Sequence, residues 1–215
     1  LGGNNMSKIQ EVATAVERGK SKKVAGLVQE ALDSGATAPE ILNAMIDSMT
    51  VVGDKFTKNE IFVPEMLVAA RAMQKGVEVL KPLLVGDNAV SAGKMIMGTV
   101  AGDLHDIGKN LVIMMLESAG FEVIDLGVDV PVEKFIEAVR ENPDVKVVGV
   151  SALLTTTMPA MKETVEALNK EDFRKDIKIM VGGAPITPEF AEEIGADAYT
   201  ADAASAAQVA KSLAA

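Results

Sequence analysis

From Met95 onward the chain alternates short apolar runs with amphipathic stretches, and that alternation leaves few folds open. MIMGTV (95–100), FEVIDL (121–126), VKVVGVS (145–151), IKIMVGG (177–183) and DAYT (197–200) are the strand candidates. Residues 109–119, 132–141, 158–169, 188–194 and 203–213 lie between and after them and carry apolar residues at helical spacing. Continuous Val, Ile and Met runs divided by helices imply a parallel sheet covered on both faces. Five of them predict a flavodoxin-like (Rossmann-like) α/β domain with strand order 2-1-3-4-5.

The first half has a different period. From Ser7 to about Leu84 apolar residues recur on one helical face, as in Val24, Leu27, Val28 and Ala31, then Ile41, Ala44, Met45, Ser48 and Met49. A longer helix is predicted from about Val63 to Leu80, with Pro64 in its first turn, where a missing N–H does no harm. The expectation is a bundle of four or so helices over 6–84, a linker over 85–94 and the α/β domain over 95–215. LGGNN before Met6 reads as a cloning remnant outside the fold. Aromatic residues are scarce, at 3%, so aliphatic side chains and 12 methionines must fill the interior.

Charge and cysteine content remove several function classes. A net charge of −10 without any basic run argues against nucleic acid or an anionic membrane as partner. The absence of cysteine excludes disulfides, iron–sulfur clusters and thiolate zinc sites, and suits a reducing cytoplasm. No apolar run reaches membrane-spanning length, and the N-terminus lacks the regions of a signal peptide.

In a sheet of the predicted order, ligands bind beyond the carboxyl ends of the strands, where the order reverses between the first and third. The loop after the first strand is AGDLHDIG, with His105 the only histidine of the chain. The third strand ends in SALLTTTMP (151–159), and GGAP (182–185) closes the fourth. Asp103 is placed to accept the Nδ1 proton of His105 and leave Nε2 to bind something. Gly102 and Gly108 bracket the loop and let backbone pass close to a ligand. A phosphate loop is excluded by spacing, by Asn110 where a hydroxyl is needed, and by the two acids. No GxGxxG follows the first strand, and one histidine is too few for an ordinary zinc or non-haem iron site. GVSAL (149–153) is an imperfect nucleophile elbow, because Leu153 stands where a small residue is required. A metal already held by a macrocycle, haem or corrinoid, needs only one axial ligand from the protein.

Asp103-x-His105-x-x-Gly108, Ser151-x-Leu153 and Gly182-Gly183 together resemble the cobalamin-binding signature DxHxxG…SxL…GG, at intervals that match within a residue. The first half, including VGDKFTKNEIFVPEMLVAARAM (52–73), resembles the helical cap module of methionine synthase and of the small corrinoid proteins. Length and domain order are similar to the corrinoid proteins that serve methylamine, methanol or methoxyl-compound methyltransferases.

The resemblance implies cobalamin bound base-off, with His105 as the lower axial ligand, Asp103 hydrogen-bonded to it, and Thr157 continuing the relay where the family has serine. It implies that the loop Gly102, Asp103, Leu104, His105, Asp106, Ile107 and Gly108 meets the cofactor. The nucleotide tail would pass Ser151, Leu153, Thr155, Gly182, Gly183 and Ala203. Phe56 and Val63 match positions that cover the upper face, although their pattern also fits ordinary bundle core. Two successive glycines read as a slot for the tail rather than a tight turn. The implied role is a methyl carrier alternating between cobalt(I) and methyl-cobalt(III), with segment 81–94 as hinge. Its implied partners are a substrate-specific methyltransferase, a second corrinoid-dependent methyltransferase and a reductive activase. Two rivals stand beside it: a cobalamin-dependent sensor, and the cobalamin subunit of a carbon-skeleton mutase.

Overall fold

The computed structural model describes residues 2–86 and 91–215. It divides into two compact units that meet in sequence at Ser91/Ala92. Part of the expected linker, residues 87–90, lies outside the described residues, while its last two residues, Gly93 and Lys94, open the first strand.

The first unit contains helices α1 (Gly2–Glu17), α2 (Ser21–Asp33), α3 (Ala38–Thr57) and α4 (Val63–Leu80). Helix α1 includes residues 2–5, so the stretch read as lying outside the fold is helical. Thr37 begins α3 with a reciprocal cap. Its hydroxyl accepts from Glu40 N at 3.3 Å, and Glu40 Oε2 accepts from Thr37 N at 2.8 Å. Helix α4 starts at Val63 with Pro64 in its first turn, and Glu65 reaches back to Phe62 N at 3.0 Å. The apolar stripes are buried where the period places them: Val24, Val28 and Ala31 on α2, Ile41, Met45 and Met49 on α3, Met66, Met73 and Leu80 on α4. A Cβ at Gly76 of α4 would lie 2.3 Å from Met45 Cε, so the end of the Met45 side chain packs over this glycine.

The second unit is a five-stranded parallel sheet in the order β2-β1-β3-β4-β5. Its strands are β1 (Gly93–Thr99), β2 (Phe121–Asp125), β3 (Val145–Ser151), β4 (Lys178–Gly182) and β5 (Ala198–Tyr199). Helices α5 (Ile107–Ser118), α6 (Val132–Glu141), α7 (Met158–Asn169), α8 (Pro188–Glu193) and α9 (Ala203–Ala214) come after the strands in turn. Strands β1 and β3 are buried over almost their whole length, which is why their sequences show no alternation. One face of the sheet carries Ile96, Val148, Val150, Ile179 and Val181 into a core shared with Phe135, Met161, Val165 and Leu168. Met95, Met97 and Met180, on alternate positions, are buried on the other face. Gly98 makes room for Phe135: a Cβ would stand 2.8 Å from the end of that ring. Strand order reverses at β1, whose Thr99 is in register with Ser151 of β3, and this fixes the place of the site. No helix among the described residues is long and apolar enough to cross a membrane.

Candidate functional site

Beyond Thr99 the chain turns through Gly102, at φ +82°, and buries the Asp103 side chain completely. A buried carboxylate is tolerated only when its oxygens are matched by donors. Asp103 Oδ1 accepts from His105 N at 3.1 Å and pairs with His105 Nδ1 at 2.8 Å. Oδ2 accepts from Leu153 N at 2.7 Å and from the Thr157 hydroxyl at 2.7 Å. Burial alone would raise the carboxyl; the Leu153 N–H, the Thr157 hydroxyl and the two His105 groups outweigh it and hold the group at about 2. Asp103 is therefore ionised at neutral pH.

An ionised carboxylate only accepts, so Nδ1 of His105 carries a proton. The neutral ring then offers an unprotonated Nε2, and the side chain is 48% exposed. The ring is held from behind and open in front. Its own carbonyl accepts from the buried Thr99 hydroxyl at 3.1 Å, and Thr99 Oγ1 lies 2.8 Å from Ser151 Oγ. Ser151 is thus tied to the floor of the histidine loop, and no hydrogen bond joins it to the imidazole among the described residues. That removes a Ser–His–Asp nucleophile. Around His105 stand Leu104, at 72% exposure, Ile107, at 85%, and the exposed Leu153 and Leu154. A Cβ at Gly108 would meet nothing within 4 Å.

The expected residues divide into groups. Asp103, His105, Leu153 and Thr157 form one bonded cluster, with Ser151 joined through Thr99. Asp106 precedes α5, and its carbonyl accepts from Asn110 N at 2.7 Å. Thr155 is exposed in a 3₁₀ turn, Thr155–Thr157, and Ala203 is buried at the first position of α9. Phe56, half-buried, and Val63, exposed, belong to the helical unit. The two glycines have a reason within the protein itself. A Cβ on Gly183, at φ +133°, would stand 1.8 Å from the Ala152 carbonyl oxygen, and one on Gly182 would stand 3.0 Å from that of Thr200.

Sequence reasoning missed Thr99, Asp129 and Lys109. Asp129 sits at φ +50°, accepts from Gly102 N at 2.7 Å, and donates its own N–H to the Asp103 carbonyl at 2.9 Å. Nothing in GVDVP announces this; an aspartate tolerant of the left-handed region was the available signal. Lys109, adjacent to the glycine of the motif, is almost wholly buried against Asp125.

A family described as B12 binding domain matches residues 93–210, and a second family of the same description matches residues 8–81. The chain belongs to the B12-binding corrinoid proteins. Dimethylamine corrinoid protein 1 of Methanosarcina acetivorans is 43% identical over 207 residues, covering 95% of this chain and 96% of that protein. Among solved structures, a cobalamin-binding protein from Desulfitobacterium hafniense superimposes with a TM-score of 0.81 at 33% identity, over 95% of this chain and 98% of that one. The methanol:cobalamin methyltransferase complex from Methanosarcina barkeri contains a chain matched with a TM-score of 0.82 at 30% identity, over 97% of this chain and 80% of that one. The cofactor of this corrinoid protein is cobalamin.

Proposed function

We propose that this corrinoid protein is a methyl carrier that binds cobalamin with His105 Nε2 as lower axial ligand, in place of the cofactor's own base. The observation that carries the reading is the His105–Asp103 pair: a half-exposed ring whose Nδ1 is fixed from behind by a carboxylate that stays ionised, with Nε2 left to a ligand. The surrounding residues fit such a group. Among the described residues no three His, Cys, Asp or Glu side chains converge to hold a bare metal ion, and a macrocycle-bound metal needs only one. Apolar Leu104, Ile107, Leu153 and Leu154 suit a corrin face, and the open space at Gly108 suits a cofactor passing close to backbone.

When bound, the corrinoid supplies a cobalt that takes up a methyl group and gives it up again. The protein's share lies with its own side chains. Asp103 keeps the proton on Nδ1 and so keeps Nε2 available. The ionised Asp103 carboxylate behind the ring would also stabilise positive charge on the imidazole. Thr157 shares its hydroxyl between Asp103 Oδ2, at 2.7 Å, and the Leu154 carbonyl, at 3.0 Å, and so ties the carboxylate to the turn after β3. The nucleotide tail is assigned to the crevice beside Ser151, Leu153, Thr155, Gly182, Gly183 and Ala203. The helical domain, 6–84, is read as a cap that carries Phe56 and Val63 for the upper face; of the segment 81–94 expected as hinge, residues 87–90 lie outside the described residues.

The carrier works in the cytoplasm between a substrate-specific methyltransferase and a second corrinoid-dependent methyltransferase, with a reductive activase restoring oxidised cobalt. The relative named for dimethylamine makes a methylated amine the first donor to try. The test is an ultraviolet–visible spectrum of the protein loaded with hydroxocobalamin, reduced, and methylated, for wild type and His105→Ala. Imidazole-on bands in wild type that are lost in the variant are expected. A variant with the wild-type spectrum removes His105 as ligand, and a protein that retains no corrin removes the carrier reading.

A further inference from the structure

The histidine loop has two ends, and the structure ties both to a single segment. At its front, Gly102 N donates to Asp129 Oδ1 at 2.7 Å, and Asp129 N donates to the Asp103 carbonyl at 2.9 Å. At its rear, Lys109 Nζ donates to both carboxylate oxygens of Asp125, at 2.8 and 3.0 Å, and to Asn110 Oδ1 at 2.7 Å. The Lys109 side chain is only 2% exposed, although lysine is among the residues least often buried. Asp125 ends β2, and Asp129 stands four residues on, in the β2–α6 connection. That connection is itself fastened to β1: Leu126 N donates to Met97 O at 2.8 Å, Thr99 N to Gly127 O at 3.0 Å, and Val130 N to Thr99 O at 3.0 Å. Asp125 Oδ1 also accepts from Gly127 N at 2.8 Å and sets the turn.

We propose that Lys109 and Asp125 are positioning residues: the ion pair between the buried Lys109 ammonium and the partly exposed Asp125 carboxylate is the rear clamp that, with the front clamp at Asp129, fixes the loop carrying His105. The buried cation has a cheaper alternative if its role were only to fill space, since an apolar side chain of equal length avoids the desolvation of an ammonium group. What the ion pair adds is direction. It joins the first turn of α5, one residue beyond Gly108, to the end of β2, four residues before the front clamp at Asp129. Between the clamps only five residues, 104–108, are left to place the imidazole against Asp103.

The significance of this position rests on the His105 ligand reading, so the deciding experiment avoids the cofactor. The single histidine gives one unambiguous pair of ring ¹⁵N signals, whose shifts report which nitrogen carries the proton. The cofactor-free full chain is measured in alkaline buffer as wild type, Lys109→Met, Asp125→Asn and Lys94→Met. The last breaks another ion pair of the α/β unit, Lys94–Asp144 at 2.9 Å, and controls for loss of a cation alone. Wild type and Lys94→Met are expected to show the Nδ1–H form. Lys109→Met is expected to raise the Nε2–H population about five-fold, the equivalent of one ordinary hydrogen bond, and Asp125→Asn to move it the same way by less. If Lys109→Met fails to fold by circular dichroism, Asp125→Asn, which preserves shape, decides alone. Wild-type signals in the folded variants overturn the proposal. Failure of the carrier reading shows separately, as wild-type protein that takes up no corrinoid.

Discussion

Asp103→Asn removes a charge while leaving shape almost unchanged, and the hydrogen bonds around the side chain set its cost. Each carboxylate oxygen accepts a backbone N–H, from His105 at 3.1 Å on Oδ1 and from Leu153 at 2.7 Å on Oδ2. Whichever way the new amide turns, its NH2 group faces a fixed donor. The better arrangement keeps its oxygen toward Leu153 and Thr157, where the two shortest contacts are, and leaves NH2 opposite His105 N and Nδ1. The imidazole must then move its proton to Nε2 or swing into water. Two hydrogen bonds to an ionised acceptor are lost, and after allowance for the half-exposed ring the cost is about 3 kcal/mol. A second route gives a similar figure: a carboxyl held at about 2 instead of 3.8 corresponds to about 2.4 kcal/mol in favour of the ionised form. Thermal unfolding of the cofactor-free protein should show the α/β unit melting roughly 10 °C lower. The cobalamin-loaded variant should lose its imidazole-on bands. A midpoint within about 2 °C of wild type, with the Nδ1–H form intact, would refute the reasoning.

Thr157→Val keeps the volume and removes one donor, at a cost of about 2 kcal/mol near neutral pH. Because the folded carboxyl of Asp103 is depressed, its stabilising effect is complete above 3.8 and is lost as pH falls through about 2. The variant's carboxyl rises toward 3.8, so its deficit in urea titrations should be full near pH 7 and should close near pH 2; a pH-independent deficit would detach Thr157 from Asp103. Gly108→Ala tests the open space beside the motif. With no neighbour within 4 Å of its Cβ, the apoprotein should gain about 0.5–1 kcal/mol of stability. Cobalamin uptake, monitored by absorbance after gel filtration, should fall, and unchanged uptake would mean that the cofactor does not approach this backbone.

The sequence was most legible where one physical signal dominated. Helix α4 begins and ends at Val63 and Leu80 as the period and Pro64 require, and β3 spans 145–151 as its valine-rich run, broken only by the exposed Lys146, requires. The Asp103–His105 pair was legible because two residues of separation suffice to make it. Thr157 is 54 residues from Asp103, and only the family resemblance pointed to it. Gly182 and Gly183 were visible as unusual, but their neighbours, Thr200 and Ala152, come from strand ends that no local pattern brings near. Thr99, Asp129 and Lys109 were not legible for the same reason: each acts across strands. The start of α1 was missed because glycine and asparagine are poor helix formers, and the helix nevertheless extends through Gly2–Asn5.

The bonds converging on Asp103 also impose an order of events on the newborn chain. His105 is two residues away, but Leu153 and Thr157 are 50 and 54 residues away, beyond β2, α6 and the whole of β3. Until β1 has paired with β3, the carboxylate has no reason to leave water and the imidazole has no settled proton. A chain still emerging from the ribosome therefore carries the local Asp103–His105 pair without the two distant donors that bury and fix it. The full set of donors around Asp103 is complete only once the sheet has closed. Amide exchange at Leu153 should accordingly be among the slowest in the unit, opening only when the sheet itself opens.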